Sequence, residues 1–276
     1  MKPRSLTEVM RYALLLLLAV LFLVPFYLIA RNALMTDDQI TALHWAWLPA
    51  APQWDNFRKL FADPTAPMLT GLVNSAVIAV VTLVLQMLFS SMAGYALARI
   101  PARGRSIVFF VILATLMIPS AVTFVPTFAV TAYLGGVNTR WGIIAPGLFS
   151  AFSIFLFRQF YLRFPTEIEE AGRLDGLGYF GVYWRLLLPN SVSILMALGV
   201  LTFIGSWNSF LWPLVIGQDP SAWTVQVVLS TFLTSQTQNL AQLFAAAAVG
   251  VLPLVLVFLV MQRYIVAGAK FSGGKE

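Results

Sequence analysis

Glu167, Glu169, Glu170, Arg173, Asp175 and Arg185 gather in one stretch, Thr166 to Pro189 (TEIEEAGRLDGLGYFGVYWRLLLP), with long apolar runs on both sides. Elsewhere the chain offers little that could react. It has no cysteine and a single histidine, His44, so thiol catalysis, disulfides, cysteine-ligated zinc and a Ser-His-Asp triad all lack their parts. No cluster of Asp, His, Ser or Cys makes a catalytic constellation. No G-x-x-x-x-G-K-[ST] run is present to cradle a nucleotide. The expectation is therefore a non-enzymatic chain with no catalytic residue, no metal site and no cofactor, whose charged stretch serves recognition. Any energy for active transport would have to arrive through another polypeptide.

Local rules give this polar island a shape. Pro165 ends the preceding segment, Thr166 suits an N-cap, and Glu169 three residues later completes a T-x-x-E capping box. Glu167, Glu169 and Glu170 place negative charge on the first turn, where the helix dipole favours it, and Glu169 and Arg173 form an i,i+4 pair in the favourable order. Gly176 stands where a left-handed residue would end the helix. A second helical stretch, Tyr179 to Leu188, then leads to Pro189. Ile168, Ala171 and Leu174 recur every three residues and give the first helix one small apolar face. That face suits a partner's groove; an ordinary solvated helix at the membrane interface is the other reading of the same pattern.

The elements that must hold this island are membrane spans. The composition is 59% hydrophobic and only 10% charged, with mean hydropathy +0.84, far from the roughly one-quarter charged residues of soluble domains. Tyr12 to Ala30 is uncharged and would span about 28 Å at ~1.5 Å per residue, enough for the hydrocarbon core. It outlasts the apolar core of a secretory signal and lacks a good cleavage site, so it reads as a retained first span, with a kink expected at Pro25. Five more follow: Met68 to Ala98, Ser106 to Tyr133 (interrupted by Pro119 and Pro126, where a kink or break is expected), Trp141 to Phe157, Asn190 to Ile216 and Asn239 to Gln262. One membrane domain, residues 12–265, thus sits between a head (1–11) and a tail (266–276). Its cytoplasmic segment is 166–189. The loop 31–67 carries Trp45, Trp47 and Trp54, as expected at a membrane–water boundary, and His44 reads as an interfacial residue.

Charge orients the spans. Of the 17 Lys and Arg residues, only Arg31, Arg58, Lys59 and Arg140 fall on one side; the rest lie on the side of the head, the tail and the island. The positive-inside rule puts that side in the cytoplasm. The net charge of +6 is explained by these span ends, and no nucleic-acid partner is expected. None of the apolar cores contains Asp, Glu, Lys, Arg or His, which argues against a proton-coupled carrier or a voltage sensor. A sodium-coupled carrier is excluded less strongly, since backbone carbonyls can bind Na⁺.

Read as E-A-A-x3-G-x9-I-x-L-P, the island aligns Glu170, Ala171, Gly172, Gly176, Leu186, Leu188 and Pro189, with Gly172 for the second alanine and Leu186 for isoleucine. This resembles the cytoplasmic signature of the permease subunits of binding-protein-dependent ABC importers. The likeness continues through Asn74-Ser75, Ser91, Ala93 to Arg99, Met117-Ile118-Pro119, Asn138-Thr139, Trp207 to Pro213 and Gln262-Arg263-Tyr264, and it is to the carbohydrate branch, in particular the MalG-type permease. Ser209 departs from the aspartate frequent in the W-N-D-F group.

The resemblance implies an all-α, six-span type I ABC importer permease fold with a coupling helix between spans 4 and 5, in a prokaryotic cytoplasmic membrane. It also implies a second, MalF-type permease, an ABC ATPase dimer and an extracellular or periplasmic sugar-binding protein as partners, within a lipid bilayer. Carried over, Glu170, Ala171, Gly172, Asp175, Gly176 and Pro189 are the ATPase-coupling residues. A sugar pathway needs uncharged polar and aromatic groups, for which Asn74, Gln86, Thr123, Trp207, Asn208 and Gln242 are the candidates. Such residues also join helices by hydrogen bonds or anchor an interface. A self-sufficient carrier or channel for a small neutral solute is the alternative function.

Overall fold

The computed structural model describes residues 6–234 and 237–273, with side chains over 7–233 and 239–262. The Arg263-Tyr264 pair, Lys2 and Arg4 of the head and the basic residues of the tail lie outside the described side chains. The elements in order are α1 (Leu6–Ala33), α2 (Asp37–Thr41), α3 (Asp55–Ala62), α4 (Met68–Arg99), α5 (Arg105–Thr115), α6 (Ser120–Tyr133), α7 (Arg140–Ile144), α8 (Ala151–Leu162), α9 (Thr166–Leu174), α10 (Tyr179–Val182), α11 (Leu188–Asn190), α12 (Val192–Trp207), α13 (Leu211–Ile216), α14 (Val225–Thr231) and α15 (Leu240–Gly273). Short 3₁₀ turns at Ala145–Gly147 and Pro220–Ala222, and a two-residue antiparallel ribbon pairing Leu233–Thr234 with Thr237–Gln238, fill the connections.

Among the described residues, three helical runs are long and apolar enough to cross a bilayer unaided: Thr7–Ala33, Met68–Arg99 and Leu240–Gln262. α1 runs on through Pro25, and none of its apolar window is buried inside the chain, so lipid or a partner must cover it. Three further candidates are bent pairs: Arg105–Thr115 with Ser120–Tyr133 at 100°, Arg140–Gly147 with Ala151–Leu162 at 46°, and Tyr179–Asn190 with Val192–Trp207 at 76°. The break expected at Pro119 is therefore a sharp corner, while Pro126 sits inside a continuous α6. The run Asn190 to Ile216 divides as well. Its helix ends at Trp207, Asn208 is the C-cap, and the chain restarts at Leu211.

The chain forms two compact units, one of residues 1–69 and 228–252, the other of 70–227 and 253–276. In the first, the 31–67 loop is built around α1's end. Buried Arg31 donates to the Ala46 carbonyl (2.6 Å) and Asn32 Oδ1 (2.7 Å), and lies over the Trp45 ring at 4.2 Å. Asn56 holds the carbonyls of Ala33 and Met35, both at 2.9 Å. The Asp37 carboxylate accepts the Ala241 N–H at 2.8 Å, at the start of α15. Thr36 and Gln39 make a reciprocal capping box on α2.

The second unit has α4 as its axis. Asn74 and Arg99 lie near its two ends, about 38 Å apart at ~1.5 Å per residue. Between them α4 packs against α8 at Gly94, where an added Cβ would stand 2.6 Å from Phe157 Cβ and 2.9 Å from the Arg158 backbone nitrogen. Contact this close is how helices gain packing energy in lipid, which is as apolar as a leucine side chain.

Candidate functional site

α4 carries three arrangements in turn along its length. At its N-terminal end, fully buried Asn74 is fully engaged in bracing the connections: its Nδ2 donates to the carbonyls of Ser221 (2.9 Å) and Trp223 (2.8 Å), and its Oδ1 accepts from Arg140 Nε (2.9 Å). Ser75 Oγ accepts the Val225 N–H at 2.9 Å. Asn138, at φ 58, accepts the Asp219 N–H at 2.8 Å, and Thr139 caps α7. The two Asn-hydroxyl pairs singled out in the sequence are thus ties between loops.

Along the middle of α4, Ile78, Thr82 and Gln86 recur one turn apart and line a cavity of about 500 Å³. Its other walls include Ser150 and Ser153 from the start of α8, Thr202 and Ser206 of α12, and Ser209 and Trp212 just beyond. The lining holds no ionisable side chain; its polar side-chain groups are hydroxyls, the Trp212 indole N–H, which donates to the Gly142 carbonyl at 3.1 Å, and the Gln86 amide, which donates to Ser153 Oγ at 3.3 Å. Such a surface can exchange hydrogen bonds with an uncharged hydroxyl-rich solute and present an aromatic ring to its C–H face.

Of the pathway candidates, only Gln86 lines this cavity. Asn74 is in the brace described above. Thr123 is exposed on α6 and bonds the Ser120 carbonyl at 3.1 Å. Trp207 is buried and stacks on Phe203 with centroids 5.7 Å apart. Asn208 caps α12 and accepts from Gln226 Nε2 at 3.2 Å. Gln242 is half-buried on α15, in the other unit. The W-N-S-F-L-W-P segment does reach the cavity, but through Ser209 and Trp212. In the sequence this cavity is marked by small hydroxyls at helical spacing inside apolar runs.

At the C-terminal end α4 grips the polar island. α9 spans Thr166–Leu174, and its N-cap is Pro165 with no side-chain cap bond. The helix thus starts one residue earlier than a Thr166–Glu169 capping box requires, and the box does not form. Glu169 turns inward instead and is 4% exposed. Its Oε1 lies 3.0 Å from Arg99 Nε, its Oε2 3.9 Å from Arg173. Burial raises the carboxyl pKa above its usual range, opposed by the positive charges of Arg99 and then Arg173. Arg99 donates its hydrogen bonds to the Tyr161 carbonyl at 2.9 Å and to that of Phe164, where α8 ends.

α9 ends in a Schellman motif. Gly176 has φ +82, its N–H reaches the Arg173 carbonyl at 3.0 Å, and the Leu177 N–H reaches that of Gly172 at 2.9 Å. Leu177 closes over Gly172, where an added Cβ would stand 3.4 Å from Leu177 Cδ1 and 2.5 Å from Leu186 Cδ1. The two departures from the motif, Gly172 and Leu186, therefore touch: the leucine occupies the space an alanine methyl would need.

Beyond the bend, α10 passes into a π-helical turn at Tyr183–Leu187 and then α11. Pro189 has no N–H to give the Arg185 carbonyl, and the widened turn pairs the Leu188 N–H with Tyr183 instead. Tyr183 OH donates to Ser91 Oγ at 3.1 Å, Ser91 Oγ meets Tyr161 OH at 2.6 Å, Ser191 Oγ donates to Tyr161 OH at 3.3 Å, and Tyr95 OH donates to the Tyr179 carbonyl at 3.2 Å. Ser91, Tyr95 and Arg99, each one turn on, hold the island's inner side.

Its outer side is open. Ile168, Ala171 and Leu174 are exposed, Leu174 at 90%, and Phe180 and Trp184 continue an apolar surface past the bend. Glu170, Asp175, Gly176 and Pro189 are also exposed, whereas Gly172 is buried. An amphipathic helix held on its inner side and bare along its apolar edge has the form a helix-in-groove contact requires.

Residues 86–270, more than half of the chain, match the family described as "Binding-protein-dependent transport system inner membrane component". The chain is 36% identical over 227 residues to the arabinooligosaccharides transport system permease protein AraQ of Halalkalibacterium halodurans, covering 82% of this chain and 81% of that one. It is 33% identical over 265 residues to the lactose transport system permease protein LacG of Rhizobium radiobacter, covering 96% of each. The sn-glycerol-3-phosphate transport system permease protein UgpE of Yersinia enterocolitica is 32% identical over 95% of each chain. A chain from the crystal structure of a bacterial ABC transporter involved in the import of the acidic polysaccharide alginate superposes with a TM-score of 0.82 at 23% identity, over 96% of this chain and 99% of that one, which shows the shared fold.

Proposed function

This chain belongs to the inner-membrane components of binding-protein-dependent transport systems, and from that premise we propose that it is the permease subunit of an ABC importer for a carbohydrate or related polyol. A second permease completes the channel, an ATPase pair drives it, and an external binding protein delivers the cargo. The named cargoes of its relatives, arabinooligosaccharides, lactose and sn-glycerol-3-phosphate, support the carbohydrate reading, and so does the hydroxyl-lined cavity. The chain crosses the cytoplasmic membrane six times, three times by single helices and three times by bent pairs. Its termini and island lie in the cytoplasm, on the basic side. Substrate passes along the middle of α4, past Thr82, Gln86, Ser209 and Trp212.

The single observation that carries the coupling reading is the bare apolar edge of α9. Ile168, Ala171 and Leu174 enter a groove of the ATPase; Glu170 and Asp175 border the contact, Gly172 and Gly176 shape the helix end, and Pro189 sets the return into the membrane. Replacing Leu174 by Glu tests it. The side chain is 90% exposed, so the substitution should change the stability of the chain itself by no more than about 0.5 kcal/mol. The expected result is a normally inserted permease that no longer co-purifies with its ATPase. Retained ATPase and undiminished ATP-driven uptake would overturn the reading. So would gradient-driven sugar flux through the purified chain alone, which would favour a self-sufficient carrier.

A further inference from the structure

Docking explains the outer side of the island; it leaves open why a carboxylate is buried on its inner side. Glu169 is the one acidic residue of α9 turned inward, and its nearest cation comes from α4, 70 positions back in the sequence. Arg99 is itself mostly buried, its side chain 13% exposed, and it touches three elements at once: its own helix, the carbonyl end of α8 at Tyr161 and Phe164, and Glu169 of α9. Isolated, a buried carboxylate is costly, and breaking such a pair by removing one partner is more disruptive than losing a surface pair. The ordinary local partner, Arg173 at i+4, stands farther away at 3.9 Å and leans over the Tyr179 ring at 4.6 Å. α4 in turn carries Gln86, Thr82 and Ile78 on the cavity wall, roughly four to six turns from the clamp.

We propose that Arg99 and Glu169 form the pin that makes the island move as one body with α4, so that a displacement of α9 by the ATPase reaches the cavity-lining turns of α4. Arg99 is a positioning residue: it touches neither cargo nor nucleotide. Its planar fork suits the task, because one guanidinium donates to the Tyr161 and Phe164 carbonyls in fixed directions and so keeps its charge 3.0 Å from the Glu169 carboxylate, where an ammonium would be held loosely. The inference rests on the coupling reading above and deepens it.

The test exploits the absence of cysteine from the chain. A Thr82→Cys reporter, in the complete complex in proteoliposomes, is labelled with a membrane-impermeant maleimide with and without ATP. With Arg99 and Glu169 in place, ATP should change the labelling rate. With Glu169→Gln added, the ATPase should stay bound and hydrolyse ATP, while the ATP-induced change shrinks by roughly 2- to 30-fold, the range for perturbing a coupled network. Arg99→Lys should keep part of the response that Arg99→Gln loses; this comparison decides the matter if Glu169→Gln fails to assemble. A full response in Glu169→Gln, or equal responses in Arg99→Lys and Arg99→Gln, would overturn the pin and leave the docking reading intact. No ATP effect and no bound ATPase in the reporter alone would overturn the docking reading, and the pin with it.

Discussion

Replacement of Gly176 isolates the one place where backbone conformation alone decides the shape of the island. Its φ is +82, and an added Cβ would meet nothing within 4 Å. The cost of any side chain there is therefore the cost of the left-handed backbone, not of crowding. For an ordinary L-residue that is roughly 1–2 kcal/mol; asparagine visits this region readily, and a β-branched residue hardly at all. The order of damage should be Asn, then Ala at about 1 kcal/mol, then Val at about 2 kcal/mol or more. Two hydrogen bonds depend on the bend, from the amides of Gly176 and Leu177 to the carbonyls of Arg173 and Gly172. Hydrogen exchange at residue 177 is thus the direct assay: about 2 kcal/mol of local destabilisation should speed it roughly 30-fold in Gly176→Val, with little change in Gly176→Asn. ATP-driven uptake by the reconstituted complex should fall in the same order, with Gly176→Val inserted but inactive. If Asn proves as damaging as Val, so that loss follows side-chain bulk, the backbone argument is refuted.

The remaining predictions concern close packing. Gly172→Ala gains up to about 1 kcal/mol in helix propensity but drives its methyl to 2.5 Å from Leu186 Cδ1, a flexible side-chain end, so its net effect should be a loss of no more than about 1–2 kcal/mol. Adding Leu186→Ile should recover part of that, and thermal melts of the four variants in detergent should show a coupling of at least about 0.5 kcal/mol; strict additivity would count against the contact. Gly94→Val, by contrast, meets Phe157 Cβ and the Arg158 backbone, neither able to swing aside. Loss of folded permease on size-exclusion chromatography is expected there, and a fully stable variant would mean that α4 and α8 can separate freely.

The legible parts of this protein were the local and periodic ones. Gly176 could be assigned because a helix end followed by glycine demands a left-handed residue whatever packs around it. The apolar stripe Ile168, Ala171 and Leu174 followed from spacing, and it is exposed as a docking face requires. The capping box marks the boundary of such reasoning. Thr36-x-x-Gln39, in a solvated loop, forms it; Thr166-x-x-Glu169 does not, because the helix begins after Pro165 and Arg99 draws the carboxylate inward.

The substrate-pathway candidates are scattered through the fold for a related reason. Asparagine and tryptophan stand out in an apolar sequence, but Asn74 and Trp207 are satisfied inside the fold. The cavity is lined by inconspicuous serines and threonines that no single stretch brings together.

By itself, the sequence determined the class of protein, the apolar runs, the uneven charge, the bend and the outward stripe, because hydropathy, charge and φ preference act within a few turns. Tertiary structure alone decided the assignments along α4, with the brace at Asn74, the cavity at Thr82 and Gln86 and the clamp at Arg99. Each of these depends on which distant carbonyl, hydroxyl or carboxylate arrives within about 3 Å, and that is a property of packed helices rather than of any one of them.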